Sequence, residues 1–350
     1  SEFFGRPTSD RDEYGPCDIE ILAEINHAPR LARDEILTMA RHYAASGADV
    51  IDVGCEPGDP WAGVGDCVKM LCDEGFRVSI DSLQPVEISA AVEAGASLVL
   101  SVNSSNRAAA LDWGAEVVVV PDDFATLGGL EETVEVLATA GVPLRIDPVL
   151  EPIGFGFAAS LARYHEVRRR YPDAEMMMGI GNLTELTDVD SAGVNVLLLA
   201  ICQELGIRSV LTTEVINWAR SSVKECDIAR RLVHFAVANR RLPKHVETDL
   251  LTLRDAKLHE QGSDVLEQLA SEIKDNNFRI FADGGELHVI SAGLHERDTD
   301  PFRLFEKVLA VSPGNIDASH AFYLGFELSK AATALTLSKN YEMNRWTGDT

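Results

Sequence analysis

The chain has 350 residues and a formal net charge of −25, enough length for one barrel of about 250 residues and a smaller unit. That acidity argues against nucleic acids and anionic membranes as partners, since both select clustered Lys and Arg. Six scattered Cys without a C-x-x-C pair read as reduced thiols in a cytoplasm, and the longest apolar run, Val194 to Cys202, is far short of the roughly 20 residues that span a bilayer.

Residues 1–17 are polar and read as a lead-in. The first residue is Ser, which suggests a trimmed or tagged piece of a longer protein whose preceding domain was removed. Short β-branched apolar runs then alternate with helical stretches. Strands are predicted at 19–25, 49–54, 77–81, 97–102, 115–120, 143–147, 174–179 and 207–212. The runs hold few polar residues, as strands buried on both faces should. Helices are predicted at 33–46, 61–75, 84–94, 106–113, 127–140, 157–171, 189–205 and 219–239. Asp188 or Asp190 is placed to cap the seventh, and Gly95, Gly141 and Gly206 follow helices as C-caps do. A doubly wound sheet would also alternate, but eight uninterrupted units favour a closed (β/α)8 TIM barrel over residues 18–242.

Pro243 ends the eighth helix. Residues 243–275 are charged and predicted to form a helical connector. In 276–350, a small α+β domain, Asp283-Gly284-Gly285 lies between two apolar runs, a hairpin signal. Helices are predicted there at 301–311 and 318–338.

A barrel builds its chemistry at the C-terminal ends of its strands. Asp81 ends the third strand and Asp147 the sixth. Two carboxylates in one barrel mouth, costly unless paired or hydrogen-bonded, can grip a heterocycle that offers N–H donors. Asp52 sits inside its strand run and reads as structural. Asn26, Asn103 and Asn182 follow strands one, four and seven, and amides both donate and accept. Ile153-Gly154-Phe155-Gly156-Phe157 is a loop whose backbone can approach a ligand. After strand eight, Arg220, Ser221 and Ser222 could donate to a phosphate, in the usual anion position of such barrels. His27 alone among the histidines is placed near the site. Arg168-Arg169-Arg170 reads as a solvated helix end and Met176-Met177-Met178 as core strand.

These residues, in this order, resemble dihydropteroate synthase and its pterin-binding relatives. Gly47-Ala48-Asp49-Val50-Ile51-Asp52-Val53-Gly54 with Glu56 resembles the family's "GADIIDIGGES" segment. Val78-Ser79-Ile80-Asp81-Ser82 with Ala91-Val92-Glu93-Ala94-Gly95-Ala96 resembles "ISIDT…AVEAGA". Asp147-Pro148 with Ile153-Gly154-Phe155-Gly156 resembles "DPGIGFGK", with Val149 to Pro152 inserted. Asn26 falls at the Asn of "LNVTPDSF". The resemblance implies a pterin gripped by Asp81 and Asp147, both catalytic, with Asn26 near a diphosphate and Mg²⁺. Asn103 lies three residues beyond the family's pterin-binding Asn, where Leu100 is the direct match.

Four cationic features of the family are absent. Its "SRKS" reads Gly181-Asn182-Leu183-Thr184, and its "RxH" reads Leu211-Thr212-Thr213. Phe157 replaces its Gly-loop Lys, and Pro57-Gly58-Asp59-Pro60 lacks its Thr-Arg. The whole chain is most similar to the dihydropteroate synthase-related proteins of archaea and methylotrophic bacteria. Gly179 to Leu186 resembles their "GTGNVTEL", adding Gly179 and Asn182 to the pterin contacts. Asp317 to Gly325, continuing to Tyr341, resembles their small domain. The group is associated with tetrahydromethanopterin, whose arylamine carries a ribosyl phosphate. The implied activity is condensation of a 6-hydroxymethyl-dihydropterin diphosphate with that arylamine, releasing diphosphate. Alternatives are a pterin-dependent methyltransferase, which needs a corrinoid or other acceptor, or a non-catalytic pterin-binding subunit. Related barrels also suggest a homodimer.

Overall fold

In a computed structural model, which describes residues 14–247, 249–250, 258–311, 314, 316–337 and 339–343, the eight predicted strands close into a parallel barrel in sequence order. They are β1 (Glu20–Ile25), β2 (Val50–Gly54), β3 (Val78–Asp81), β4 (Leu98–Val102), β5 (Glu116–Val119), β6 (Leu144–Ile146), β7 (Glu175–Gly179) and β8 (Ser209–Thr212). Closure is made by β8 returning to β1, with Leu22 opposite Leu211 and Ala23 opposite Thr212. Residues 1–13 of the expected lead-in lie outside the described residues.

Side chains alternate across a strand, so each barrel strand serves two cores. Ile21, Ile51, Val53, Ile80, Val99 and Val117 point outward into a large core shared with the helices. Leu22, Val50, Leu98, Leu100, Val118 and Met177 fill the barrel interior, with Leu211 packed against them. Burial on both faces is why the strands read as nearly continuous apolar runs.

Below that inner apolar layer, at the N-terminal ends of the strands, the interior is closed by ion pairs. Arg145 donates to Glu20 at 2.6 Å and, through two nitrogens, to both oxygens of Glu116 at 2.9 Å. Arg77 reaches the other Glu20 oxygen at 2.5 Å. Burial would raise the Glu20 carboxyl, but the two guanidinium groups bring it below its ordinary range.

Helices follow the strands within a few residues of expectation, from Arg33–Ala45 to Ser222–Asn239. Asp190 takes the N-cap position of Ser191–Leu205 without a side-chain bond, and Gly206 ends that helix with φ 68°. A short helix, Gly181–Thr184, directly follows β7. Arg168 corrects the reading of a solvated helix end. Its guanidinium donates to the carbonyls of Leu205, Gly206, Pro172 and Ala174 at 2.8–3.0 Å, tying its helix to the two turns beside it.

The chain divides into two compact units, Ser1–Leu250 and Leu251–Thr350. Within the expected helical connector, only Ser263–Glu272 is helical among the described residues; 248 and 251–257 lie outside them. Gly262, at φ 86°, sets where that helix starts. The second unit holds a three-stranded antiparallel sheet, β9 (Arg279–Asp283), β10 (Glu286–Ser291) and β11 (Leu294–Asp298), in the order β11-β10-β9. The predicted hairpin turns on Gly284 and Gly285, at φ 56° and 81°, as a tight two-residue turn demands. β11 was not expected, because Leu294-His-Glu-Arg-Asp is mostly polar. Helices Pro301–Val311 and Ala318–Leu337 supply Leu304, Val308, Leu324 and Leu328 to a core with Ile280, Leu287 and Val289.

Candidate functional site

A cavity of about 610 Å³ opens at the C-terminal end of the barrel, within the size range of small-molecule sites. Leu100, Val118, Met177 and Leu211 form an apolar part of its lining. Met177 therefore lines the cavity as well as the core. Asp81, Asn103, Asp147, Gly179 and Asn182 all line it too, so five of the sequence-derived residues meet in one place. Asn26, Arg220, Ser221 and Ser222 are not among the lining residues.

Asp81 is the last residue of β3, and its Oδ1 accepts a hydrogen bond from Ser101 Oγ at 2.7 Å. Ser101 reaches it because β4 is irregular there. The β4–β5 register shifts between Val99 and Val102, and Ser101 takes φ 63°, a left-handed conformation rare for a side-chain-bearing residue. Consecutive residues Leu100 and Ser101 consequently both line the cavity. Burial pushes the Asp81 carboxyl up, against the pull of Ser101.

Asp147 follows β6 and is 5% exposed. Its Oδ1 accepts from the Tyr164 hydroxyl at 2.5 Å and from the Val149 N–H at 2.8 Å. Burial pushes it up to about 6, while Tyr164 and the N–H groups of Val149 and Gly179 hold it down. Near neutrality it is mainly a carboxylate with a free face. Gly179 lies beside it, and a Cβ there would sit 3.6 Å from Asn182 Nδ2 and 3.8 Å from Asp147 Oδ2. Such a methyl would occupy the space between two cavity-lining groups. Asn182 Nδ2 donates to the Leu150 carbonyl at 3.0 Å, pinning the β7 loop to the β6 loop. The Asn103 side-chain Oδ1 accepts from the Ser105 N–H and hydroxyl, at 2.9 and 2.6 Å, so this residue builds a turn in the wall.

The remaining expected residues sit elsewhere. Asn26 Oδ1 accepts from Thr213 Oγ1 at 2.7 Å, joining the ends of β1 and β8. Arg220 is exposed. Ser221 donates to Glu225 at 2.8 Å. Ser222 corrects the expectation of a phosphate contact: it is fully buried and bonded to Thr212 and Asn195, so its hydroxyl faces inward.

Sequence reasoning missed Glu24, a neighbour of Asp81, and took Asp52 only as structural. Glu24 lies opposite Asp52 in the ladder, and Gly54 lies opposite Asp81. A Cβ on Gly54 would collide with Glu24 Oε1, so the glycine makes room for that carboxyl. Burial pushes Glu24 up to about 8, and the charges of Asp81 and Glu185 add to it. Asp52 is wholly buried; Ser79 Oγ donates to its Oδ1 at 2.5 Å, while its Oδ2 has no partner. Burial, then Asp81 and Glu24, push its carboxyl well up. The signal was available in Ala23-Glu24-Ile25, where Glu24 shares the inward parity of Leu22.

Residues 26–122 match the family of pterin binding enzymes. A protein of Methanocaldococcus jannaschii, itself uncharacterized, is 29% identical, with the match covering 93% of this chain and 69% of that one. Among solved structures, dihydropteroate synthase of Yersinia pestis in a sulfonamide drug complex superposes with a TM-score of 0.51 at 19% identity, covering 63% of this chain and 95% of that one. The Yersinia pestis enzyme with a pterine-sulfa conjugate gives 0.50 at 19% identity over the same shares. Residues 26–122 thus resemble the pterin binding enzymes, and the barrel has the fold seen in dihydropteroate synthase.

Proposed function

We propose that the cavity binds a pterin between Asp81 and Asp147 and that the chain condenses a 6-hydroxymethyl-dihydropterin diphosphate with an arylamine. The arylamine in this reading is the ribosyl-phosphate aminobenzene of tetrahydromethanopterin synthesis. The observation that carries the proposal is the pair of carboxyls from β3 and β6 on one cavity, each held by a hydroxyl donor. A pterin edge rich in N–H groups complements two such acceptors. Departure of diphosphate leaves positive charge on the pterin methylene, which the amine attacks before losing its proton. Fixed carboxylates beside that charge lower the barrier electrostatically, an effect that can reach several kcal/mol.

The fold family implies Mg²⁺. Among the described residues, no group of three or more His, Cys, Asp or Glu is arranged to hold a metal ion, and Asn26 offers one neutral oxygen already shared with Thr213. Such a donor fits a cation held chiefly by the oxygens of a bound diphosphate, whose charge the metal would neutralise.

A second reading, pterin-dependent methyl transfer to a corrinoid or other acceptor, is favoured by one observation. The described lining of the cavity contains no Lys, Arg or His, and methyl transfer needs no cation for a diphosphate. Calorimetric titration with dihydropterin, with and without Mg²⁺ and diphosphate, separates the two. Binding that tightens with both favours condensation; indifference favours methyl transfer or a binding subunit. Asp81→Asn and Asp147→Asn should each weaken pterin binding at least tenfold, about 1.4 kcal/mol or more. Unchanged affinity in both would remove the basis of the proposal.

A further inference from the structure

The lining of the cavity is acidic, with Glu56, Asp81, Asp122 and Asp147 among its residues. An anionic group entering the interior would meet four carboxylates and no cationic side chain among the described lining residues. The neighbouring basic side chains, His27 and Arg30, lie at the mouth, and both hold Glu56. His27 Nδ1 is 2.8 Å from Glu56 Oε1, and Arg30 Nη2 is 2.5 Å from the same oxygen. The side chains of His27 and Arg30 remain 62% and 68% exposed. One carboxylate oxygen, gripped by an imidazole and a guanidinium that are otherwise open to solvent, has the geometry of a phosphate oxygen in a phosphate site.

The backbone that presents these two side chains is specialised. His27 is left-handed, with φ 52° and ψ 37°, and it caps the short turn Ala28–Arg30, which carries Pro29 at its start. The Arg30 N–H closes that turn on the His27 carbonyl at 2.9 Å. A left-handed conformation is strained for a residue other than glycine, and such strain gathers at ligand sites. The hydrogen bond from Arg30, aided by His27, holds Glu56 below the ordinary carboxylate range.

We infer that His27 and Arg30 form an anion subsite at the cavity mouth, which takes the phosphate or diphosphate group of the ligand while Glu56 swings away. Neither residue belongs to the set that the family resemblance implied. The subsite rests on the pterin reading only in placing anion and heterocycle on one molecule. It also gives the ligand a direction, with its heterocycle inward between Asp81 and Asp147 and its phosphate outward beside the β1 and β2 loops.

The test is calorimetry on the full chain with inorganic diphosphate as probe, and separately with dihydropterin. The wild type should bind diphosphate. Arg30→Ala and His27→Ala should each weaken that binding about tenfold, Arg30→Lys should recover part of it, and Glu56→Gln should tighten it severalfold. Dihydropterin affinity should stay unchanged in Arg30→Ala. The subsite is overturned if the wild type binds no diphosphate, or if the alanine variants bind it as the wild type does. Loss of dihydropterin binding by every form, with the diphosphate pattern intact, would instead reject the pterin reading and leave the subsite standing.

Discussion

Glu20 and Glu24 lie on the same strand, on the same inward face, four residues apart, and their surroundings are opposite. Glu20 meets Arg77 and Arg145, so its carboxyl titrates low. Glu24 meets Asp81 and Glu185, so its carboxyl titrates high, at about 8. The lower end of the barrel is neutralised by the chain itself and reads as a structural plug. At the upper end, buried acids gather with no cation in the cavity wall, an arrangement that costs stability. Acids kept at that cost are balanced by protons or by the donor groups of a ligand. The contrast separates carboxyls paired by the chain's own cations from carboxyls gathered beside Asp81 near the cavity, within one stack of side chains.

The sharpest break of the comparison is Arg145→Leu at the lower end. It removes both contacts to Glu116 and leaves Glu20 with Arg77 alone; losing one partner of a buried pair costs up to about 3–5 kcal/mol. Chemical denaturation should show that loss while pterin affinity barely changes. A stability loss below about 1 kcal/mol would mean that the plug is not structural.

The upper end should respond in the other direction. Glu24 has a folded-state value above its ordinary 4.5, so its neutral form favours folding below that range. This contribution is lost as the pH rises through about 8. Glu24→Gln should therefore gain stability over the wild type with rising pH, reaching of order 3 kcal/mol at pH 8 and vanishing below pH 4.5. Parallel stability curves for the two proteins would refute this. Glu20→Gln should show the reverse slope, its deficit present at neutral pH and shrinking as acid protonates the wild-type carboxyl.

The smallest effect concerns how Asp147 is held. Tyr164→Phe removes a hydrogen bond worth about 1 kcal/mol and lets the Asp147 carboxyl rise above 6. Dihydropterin binding should weaken roughly fivefold at pH 6, with much less loss at pH 8, where both forms are ionised. A loss independent of pH would assign Tyr164 to packing alone.

The barrel was legible because its physics is repetitive. Two-sided burial wrote eight apolar runs, and the polar residue after each run marked the mouth. Asp81, Asp147 and Asn182 followed directly. The groups that tune them did not, because their placement is tertiary. Tyr164 reaches Asp147 from the next helix, 17 residues on. Ser101 reaches Asp81 through a backbone irregularity that no composition signals. Ser222 looked like an anion donor from its position before a helix, but Asn195 and Thr212 take its hydroxyl inward. The charged stretch 243–275 looked helical throughout, yet Gly262 at φ 86° sets where its described helix begins.

The irregularity at Ser101 has a wider consequence. It is a residue counted in the chain but not in the ladder, a frameshift in space rather than in sequence. Residue-by-residue transfer of roles from any relative whose strand lacks the extra residue would go out of phase across it. An alignment of relatives should be anchored separately on Asp81 and on Val117, on either side of the slip, before any residue between them is assigned a role.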